Sequence, residues 1–227
     1  FTTYSKVLPH IKKKDKIKFF FRILSSQFFV SLNPVSCTQK NNLFYNYSFK
    51  YSDWFSDNIN VWKKYLSNIN NFDYLEIGTF EGRSAVFVGQ LKNINKITCI
   101  DTFQGSDEHK EIDFELVYKN CLKNLNKIEK TTELLKEESE NFFFKNNKNF
   151  DVIYIDGSHY YDDVKKDFDN SIKFLNKNGI LICDDFLWFQ YENKKDNPLV
   201  AILESFYKYK DELDILFVNY QIIFKKK

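Results

Sequence analysis

Three aspartates directly follow two apolar segments in the C-terminal half of the chain. Asp156 comes after the apolar residues 150–155, and Asp184 and Asp185 come after residues 179–183. If the two segments are neighbouring parallel strands, the three carboxylates meet at one edge of a sheet, where they repel one another unless a cation, a proton or a basic group neutralises them. Carboxylate oxygens beside open positions suit Mg²⁺ or a similar hard divalent ion. We therefore expect a metal site formed by these aspartates; the alternative is that Asp184 and Asp185 merely cap a turn.

His159 follows Asp156 by three residues and lies in the same expected loop. An imidazole can take a proton from a substrate hydroxyl near neutral pH, so His159 is a candidate general base. The alternative is that His159 only makes a hydrogen bond with a neighbouring aspartate. His109 lies in the loop after an earlier predicted strand, where it could cover a binding site.

A turn with two glycines follows another apolar segment. Gly78 and Gly82 permit backbone torsions and close approaches that a side chain would prevent, and the helix expected after the turn offers free N–H groups and the positive end of its dipole. Such a turn could seat a ligand's carboxylate or a nucleotide-like group. The spacing is neither the dinucleotide pattern G-x-G-x-x-G nor a phosphate-binding loop, which would need Gly-Lys-Ser/Thr. The alternative is an ordinary tight turn between a strand and a helix.

Asp101 ends the next predicted strand. An acidic side chain at this position can accept hydrogen bonds from both hydroxyls of a ribose. The alternative is a helix cap, because Asp101 and Thr102 precede a loop. The glycine turn upstream favours the ribose interpretation.

These residues need a scaffold that brings strand ends together, and the hydrophobic pattern indicates one. Strands and helices alternate from about residue 53, and the strands are nearly continuous apolar runs. The pattern predicts an α/β fold: a Rossmann-like, doubly wound sheet, mostly parallel, with an antiparallel C-terminal hairpin strand and helices on both faces. The predicted strands are 74–77, 96–100, 131–135, 150–155, 179–183, 214–218 and 221–224, and the predicted helices are about 53–66, 83–91, 111–125, 138–144, 161–175 and 198–209.

The first 50 residues differ from the rest, so we expect an N-terminal extension over 1–50 and a main domain over 51–227. A basic run precedes an apolar stretch, which predicts an amphipathic helix from Lys16 to about Ser31, ended by Asn33-Pro34. The helix would lie on the main domain or on a partner; membrane-surface contact through residues 11–31 and a targeting segment are the alternatives. Methionine is absent even at position 1, so we expect a chain that begins inside a longer product or has been trimmed.

Composition excludes several classes of protein. Hydrophobic residues make up 43% and charged residues 28%, which is typical of a globular domain. A net charge of +2 argues against a nucleic-acid partner held by bulk electrostatics. No apolar run is long enough for a transmembrane helix. Four cysteines without paired spacing favour reduced thiols and a cytoplasmic location.

Four segments together resemble a known family. They are residues 74–84, 100–106, 150–159 and 179–185, in this order. The chain is similar to class I S-adenosylmethionine-dependent methyltransferases, and within them to the branch of macrocin-type sugar O-methyltransferases and their cephalosporin-biosynthesis relatives. The resemblance covers the chain from about Trp54 to the C-terminus, and it implies that 51–227 is the catalytic domain.

The resemblance also implies roles for individual residues. Asp156 and His159 would be catalytic, with His159 as the base, and Asp156, Asp184 and Asp185 fall where metal-dependent members hold a divalent ion. Residues Lys136-Glu137-Glu138 replace a more usual Gly-Asp, which is a departure from the family pattern. The residues expected to bind the cofactor are Glu76, Gly78, Thr79, Gly82, Ser84, Asp101, Thr102, Glu138, Ser139 and Asp156.

The expected function is therefore transfer of a methyl group from S-adenosylmethionine to a hydroxyl of a small molecule, such as a sugar, assisted by Mg²⁺ or a similar divalent cation. A nicotinamide-dependent oxidoreductase and a non-catalytic Rossmann-like interaction module are the alternatives. The expected partner is a small-molecule acceptor, and a homo-oligomer is left open.

Overall fold

The computed structural model describes residues 5, 7–105, 109–188, 193 and 197–227. Seven strands form one sheet in the order β3-β2-β1-β4-β5-β7-β6, and helices surround it. The strands are Phe72–Ile77 (β1), Ile94–Asp101 (β2), Thr131–Lys136 (β3), Phe150–Ile155 (β4), Leu175–Cys183 (β5), Leu213–Val218 (β6) and Ile222–Lys226 (β7). The α-helices are Lys16–Leu32 (α1), Cys37–Phe44 (α2), Ile59–Leu66 (α3), Arg83–Gly89 (α4), Phe114–Leu125 (α5), Ser139–Lys145 (α6), Tyr161–Phe174 (α7) and Pro198–Lys208 (α8).

The strand directions confirm the predicted Rossmann-like α/β fold. β2 runs parallel to both β1 and β3, and β5 runs parallel to β4. β7 is antiparallel to β5 and to β6. The last strand of the chain therefore lies between β5 and β6, and β6 forms the edge of the sheet. The hairpin between β6 and β7 is closed by the Asn219 N–H, which donates to the Gln221 carbonyl at 2.8 Å.

Of the element boundaries that differ from the predictions, two have a clear local reason. The helix predicted from residue 53 begins only at Ile59, because Asp53 accepts the Ser56 N–H at 2.8 Å and a short 3-10 turn, Ser56–Asn58, forms first. Strand β5 begins at Leu175 rather than at residue 179, because Leu175 already pairs with Phe150 of β4.

The chain divides into two compact units. The middle unit comprises residues 33–145, and the terminal unit comprises residues 1–32 together with 146–227. In the middle unit, Trp62 packs edge-on against Tyr74 and Phe87 in a fully buried aromatic core. The boundary at residue 50 between an extension and a catalytic domain stays a prediction.

In the terminal unit, Phe224 of β7 contacts both Phe168 and Phe206. Helix α1, which the sequence predicted, lies against β6: Arg22 donates to the Leu216 carbonyl at 3.0 Å. Among the described residues, no helix is both long and apolar enough to cross a membrane.

Candidate functional site

In the middle unit, the carboxyl ends of β1, β2 and β3 lie side by side. Ile77 pairs with Ile100 in the parallel ladder of β1 and β2, and the Gly78 N–H donates to the Ile100 carbonyl at 2.8 Å. Asp101 in turn pairs with Lys136, the last residue of β3. The register therefore brings the glycine turn, Asp101 and the residues that follow Lys136 to one edge of these three strands.

The Asp101 carboxylate accepts backbone hydrogen bonds from two segments. One oxygen accepts the Phe80 N–H at 2.8 Å, and the other accepts the Phe103 N–H at 2.7 Å. Burial raises the pKa of Asp101 above its ordinary value, although these N–H donors oppose the rise. Each carboxylate oxygen has a further lone-pair site, so Asp101 can also accept hydrogen bonds from ligand hydroxyls.

The backbone around Asp101 adopts left-handed torsions at several positions. Gly78 and Gly82 have φ angles of 81° and 78°, which glycine tolerates without strain. Phe80 and Phe103 have φ angles of 49° and 52°, which bulky residues rarely adopt. Strained torsions of this kind cluster at ligand-binding sites, because there the geometry serves the ligand rather than the fold.

Glu76 is fully buried and bonded to side chains on both of its oxygens. The Ser84 hydroxyl donates to Oε1 and the Tyr74 hydroxyl donates to Oε2, both at 2.6 Å. Burial raises the pKa of Glu76 to about 7, with the two hydroxyl donors acting in the opposite direction. The Glu76–Ser84 bond joins β1 to α4 across the glycine turn, so this pair supports the turn.

The other predicted cofactor-binding residues of the middle unit lie at the same strand ends. Thr79 is only 3% exposed, between the two glycines. Thr102 follows Asp101, and its hydroxyl accepts the Gln104 N–H at 3.3 Å. Glu138 is exposed and follows β3, and Ser139 is the first residue of α6.

Glu81 is a buried residue of the turn that the sequence analysis did not select. Its carboxylate accepts the backbone N–H groups of Lys50 and Tyr51 at 2.8 and 3.0 Å, and the Asn120 side-chain amide at 2.7 Å. It is 2% exposed. Glu81 therefore fixes the segment around residue 50 against the turn. The sequence signal that could have indicated Glu81 is its position between Phe80 and Gly82, a charged residue inside the glycine turn.

Aromatic side chains gather beside the glycine turn. The Phe80 ring lies 5.2 Å from Trp54, 5.8 Å from Tyr51 and 6.3 Å from His109, measured between ring centroids. His109 also contacts Trp54 at 5.9 Å. The loop after β2 thus places His109 next to the turn, on the side of the exposed Trp54.

In the terminal unit, the structure brings Asp156, His159 and Asp185 together. Each offers one ligand atom, and these atoms lie within 4.8 Å of one another. His159 Nε2 lies 2.8 Å from Asp185 Oδ2, and the Trp188 ring lies 4.7 Å from the imidazole ring. Asp185 has a φ angle of 53°, another left-handed residue at a strand end.

Asp184 is not part of that group. Its N–H donates to the Ile155 carbonyl at 2.9 Å, and its Oδ1 accepts the Asp185 N–H at 2.8 Å. Its Oδ2 accepts the Gln221 side-chain amide at 2.7 Å and is also hydrogen-bonded to the Tyr154 hydroxyl. Burial, and next the charge of Asp185, raise the pKa of Asp184 to about 7.

Tyr154 and Gln221 belong to this site but were not among the residues predicted from the sequence. The Tyr154 hydroxyl is hydrogen-bonded to Asp156 Oδ2 at 2.8 Å as well as to Asp184. A phenol carries one hydrogen, so it donates to one carboxylate at a time. The two-residue period of β4 places Tyr154 on the same side as Asp156, which could have revealed it. Gln221 had no such indication, because the hairpin that carries it is distant in sequence.

Comparison with known proteins finds a family that resembles the central part of the chain. Residues 75–186 match the sequence profile of a family described as a methyltransferase domain. This segment, just under half of the chain, is similar to a methyltransferase domain. All of the predicted cofactor, catalytic and metal residues, from Glu76 to Asp185, lie within it.

A viral protein of similar sequence also matches part of the chain. Uncharacterized protein R132 of Acanthamoeba polyphaga mimivirus is 28% identical over 147 residues. The alignment covers 60% of this chain and 62% of R132, so the chain spans less than two thirds of that relative.

Solved structures share the fold of this chain. An O-methyltransferase from Bacillus cereus in complex with SAH is 14% identical with a TM-score of 0.57, and the match covers 91% of this chain and 99% of that protein. The O-methyltransferase TomG from Streptomyces achromogenes, involved in tomaymycin synthesis and solved with SAM, is 12% identical with a TM-score of 0.54, covering 96% and 100%. At these identities the likeness shows the Rossmann-like methyltransferase fold alone.

Proposed function

We propose that this chain transfers the methyl group of S-adenosylmethionine to a hydroxyl oxygen of a small molecule. The observation that carries the proposal is the Asp101 carboxylate beside the glycine turn, within a matched methyltransferase domain. The complexes of the similar folds with SAH and SAM support the choice of cofactor. A net charge of +2 favours a small acceptor over a nucleic acid.

The middle unit would bind the cofactor. The turn of Gly78, Thr79 and Gly82 would let the backbone approach the methionine part closely, because neither glycine presents a side chain. Asp101 would accept the ribose hydroxyls, and Thr102 would lie next to it. Glu76 and Ser84 would act mainly by holding the turn, since their polar atoms are bonded to each other.

Two further groups complete the proposed cofactor set. Glu138 and Ser139 would lie near the adenine, because they follow β3, whose end is in register with Asp101. Asp156, at the end of β4, would contribute to binding cofactor and acceptor as well as to catalysis.

The donor set of the terminal unit fits a divalent cation. Asp156 and Asp185 offer carboxylate oxygens within 4.8 Å of each other, and such oxygens suit Mg²⁺, Mn²⁺ or a similar ion. Asp156 and Asp185 would hold the ion directly, joined by Asp184 after a change of its hydrogen bonds, and the His159 imidazole would stay available as a base. When bound, the cation would lower the pKa of an acceptor hydroxyl and orient it.

His159 would remove the proton of the acceptor hydroxyl. Its imidazole lies 2.8 Å from the Asp185 carboxylate, which orients the ring and would stabilise the imidazolium formed by proton transfer. The Trp188 ring beside it would limit access of water. Methyl transfer itself needs oxygen, carbon and sulfur nearly in line, so positioning by the protein is the main contribution to the rate.

The resemblance of these residues to macrocin-type sugar O-methyltransferases suggests the class of acceptor. Sugars with free hydroxyls are therefore the first acceptors to test.

His159→Gln should lower the methyl-transfer rate by about 10²- to 10⁴-fold, as expected for the loss of a general base, and leave cofactor affinity unchanged. An equal rate for variant and parent would remove His159 from this role.

Calorimetric titration of the full chain with S-adenosylmethionine, S-adenosylhomocysteine and NADH tests the proposal. We expect both adenosyl compounds to bind and NADH not to bind. Binding of NADH alone would favour the oxidoreductase alternative, and binding of none of the three would favour an interaction module.

A further inference from the structure

Helix α1 is apolar on two opposite faces. Phe19, Ile23 and Ser26 are buried, and the Val218 N–H of β6 donates to the Ser26 hydroxyl at 3.0 Å. The opposite face carries five large apolar side chains that are 52–72% exposed. We call this face the outer stripe; its members are Ile17, Phe21, Leu24, Phe28 and Leu32.

The two serine hydroxyls beside the outer stripe form hydrogen bonds within the helix. The Ser25 hydroxyl donates to the Arg22 carbonyl and the Ser31 hydroxyl donates to the Phe28 carbonyl, both at 2.9 Å. The Arg22 guanidinium is directed to the sheet, where it bonds the Leu216 carbonyl. No charged residue occurs from 23 to 39. This surface therefore has few polar groups that require hydrogen bonds to water.

An exposed surface of this kind is typical of an interface. A helix that is apolar on all sides is normally covered on all sides. Five side chains of this size, more than half exposed, offer roughly 500 Å² per chain, so two stripes together would bury on the order of 1,000 Å². That is the lower end of the range for a specific protein interface, about 1,000 Å² in total.

We propose that the outer stripe binds the outer stripe of a second copy of this chain, with the two α1 helices antiparallel. Four of the five positions of the stripe are symmetric about its middle, and the fifth, Leu24, lies next to that middle, where it would face Ser25 of the other copy. Ile17 lies as far before the point between Leu24 and Ser25 as Leu32 lies after it, and Phe21 and Phe28 are related in the same way. An antiparallel pair would therefore set Phe21 against the other copy's Phe28, which is the self-complementarity that a two-fold dimer requires.

The charges around α1 favour this arrangement. Lysines gather at its N-terminal end, and none of them is ion-paired with an acidic side chain in the described part of the chain; they are Lys12, Lys13, Lys14, Lys16 and Lys18. An antiparallel pair keeps the two lysine groups at opposite ends, each beside the negative end of the other helix dipole. A parallel pair would bring them together.

A lipid surface is the competing occupant. Interfacial helices carry basic residues along the polar face, whereas here the lysines are confined to one end and the face opposite to the stripe is buried on β6. The stripe from Leu24 to Leu32 has no basic residue beside it apart from the Arg22 bonded to the sheet. A second copy covers the whole stripe, and a membrane would be favoured at one end only.

The mass of the full chain in solution, measured by light scattering and sedimentation at about 50 μM, tests the proposal. We expect about twice the chain mass of 27.3 kDa. Phe21→Glu and Phe28→Lys should each shift the protein to the monomer, because each places a charge in the paired stripe without disturbing the buried face. The double variant Phe21→Glu/Phe28→Lys should recover dimer, because the two charges then face each other with opposite sign.

Phe144→Glu is the matched control, since Phe144 is 91% exposed on α6, away from the stripe in sequence. It should leave the mass unchanged, and circular dichroism should show the same fold for all variants. A monomeric parent, or a dimer that survives Phe21→Glu, would overturn the proposal. Binding of the monomeric parent to vesicles of phosphatidylcholine with phosphatidylserine would assign the stripe to membranes. Cofactor titration of the same variants keeps this outcome separate from the proposed function.

Discussion

The Asp101 carboxylate accepts the backbone N–H of Phe80 at 2.8 Å, and this bond connects the end of β2 to the turn that follows β1. Phe80 holds a φ angle of 49°, which a phenylalanine rarely adopts. The same carboxylate that is proposed to bind the ribose therefore also maintains the shape of the turn proposed to bind the methionine part. Changes at Asp101 should affect both.

Asp101→Asn should weaken binding of S-adenosylmethionine by at least about tenfold, which corresponds to about 1.4 kcal/mol. The amide removes the charge and puts an NH₂ group where a backbone N–H needs an acceptor. Calorimetric titration measures the loss. Asp162→Asn, an exposed change on α7, is the control and should bind as the parent does. Unchanged affinity in Asp101→Asn would refute the ribose role.

Glu76 should make stability depend on pH. Its folded pKa is about 7, above the ordinary 4.5, so the folded state holds a proton that the unfolded state releases at lower pH. The stabilising contribution is full below pH 4.5 and is lost as the pH rises through 7. A shift of this size corresponds to at most about 3.4 kcal/mol.

Glu76→Gln removes that titration while retaining groups that can bond Tyr74 and Ser84. Urea unfolding at pH 5 and at pH 8 should show the variant gaining stability relative to the parent at the higher pH. Glu111→Gln, an exposed change, should show no such gain. A parent–variant difference that is the same at both pH values would contradict the prediction.

The proposed cation site should be detectable without activity. Mn²⁺ binding, followed by electron paramagnetic resonance, should be weakened by at least about tenfold in Asp185→Asn and in Asp156→Asn, because each removes a charged ligand. Asp211→Asn, an exposed aspartate elsewhere in the terminal unit, is the control. A smaller loss in Asp184→Asn is expected, since Asp184 is bonded to Gln221 and Tyr154. Equal binding by parent and Asp185→Asn would remove the proposed site.

Gly105→Ala should destabilise the loop after β2. Gly105 has a φ angle of 74°, and a Cβ placed there would lie 2.2 Å from the Phe114 ring. The expected loss is about 1–3 kcal/mol in the free energy of unfolding. In a Phe114→Leu background, Gly105→Ala should cost less stability than it does in the parent, because the clash with the ring is removed and only the backbone strain remains. Thermal melts of the parent, the two single variants and the double variant measure the loss in each background. An unaltered melting temperature in Gly105→Ala would contradict the reasoning.

The strand ends were largely predictable from the sequence. β4 has the predicted bounds, 150–155, and an aspartate directly follows it, because a buried parallel strand appears as a short apolar run bounded by polar residues. The start of β5 and the late start of α3 were not predictable. Leu175 joins the sheet through its pairing with Phe150, and Asp53 bonds a backbone N–H three residues ahead. Both depend on contacts rather than on periodicity.

The sequence by itself determined the class of the sheet and which acidic residues end its strands, because hydrophobic period and turn residues act over short distances along the chain. Only the tertiary structure decided what those residues touch. Asp184 and Asp185 are neighbours in sequence, yet one bonds Gln221 and the other lies 2.8 Å from His159. Adjacent side chains after a strand point in different directions, and the partners come from distant segments brought close by folding, which no local pattern records.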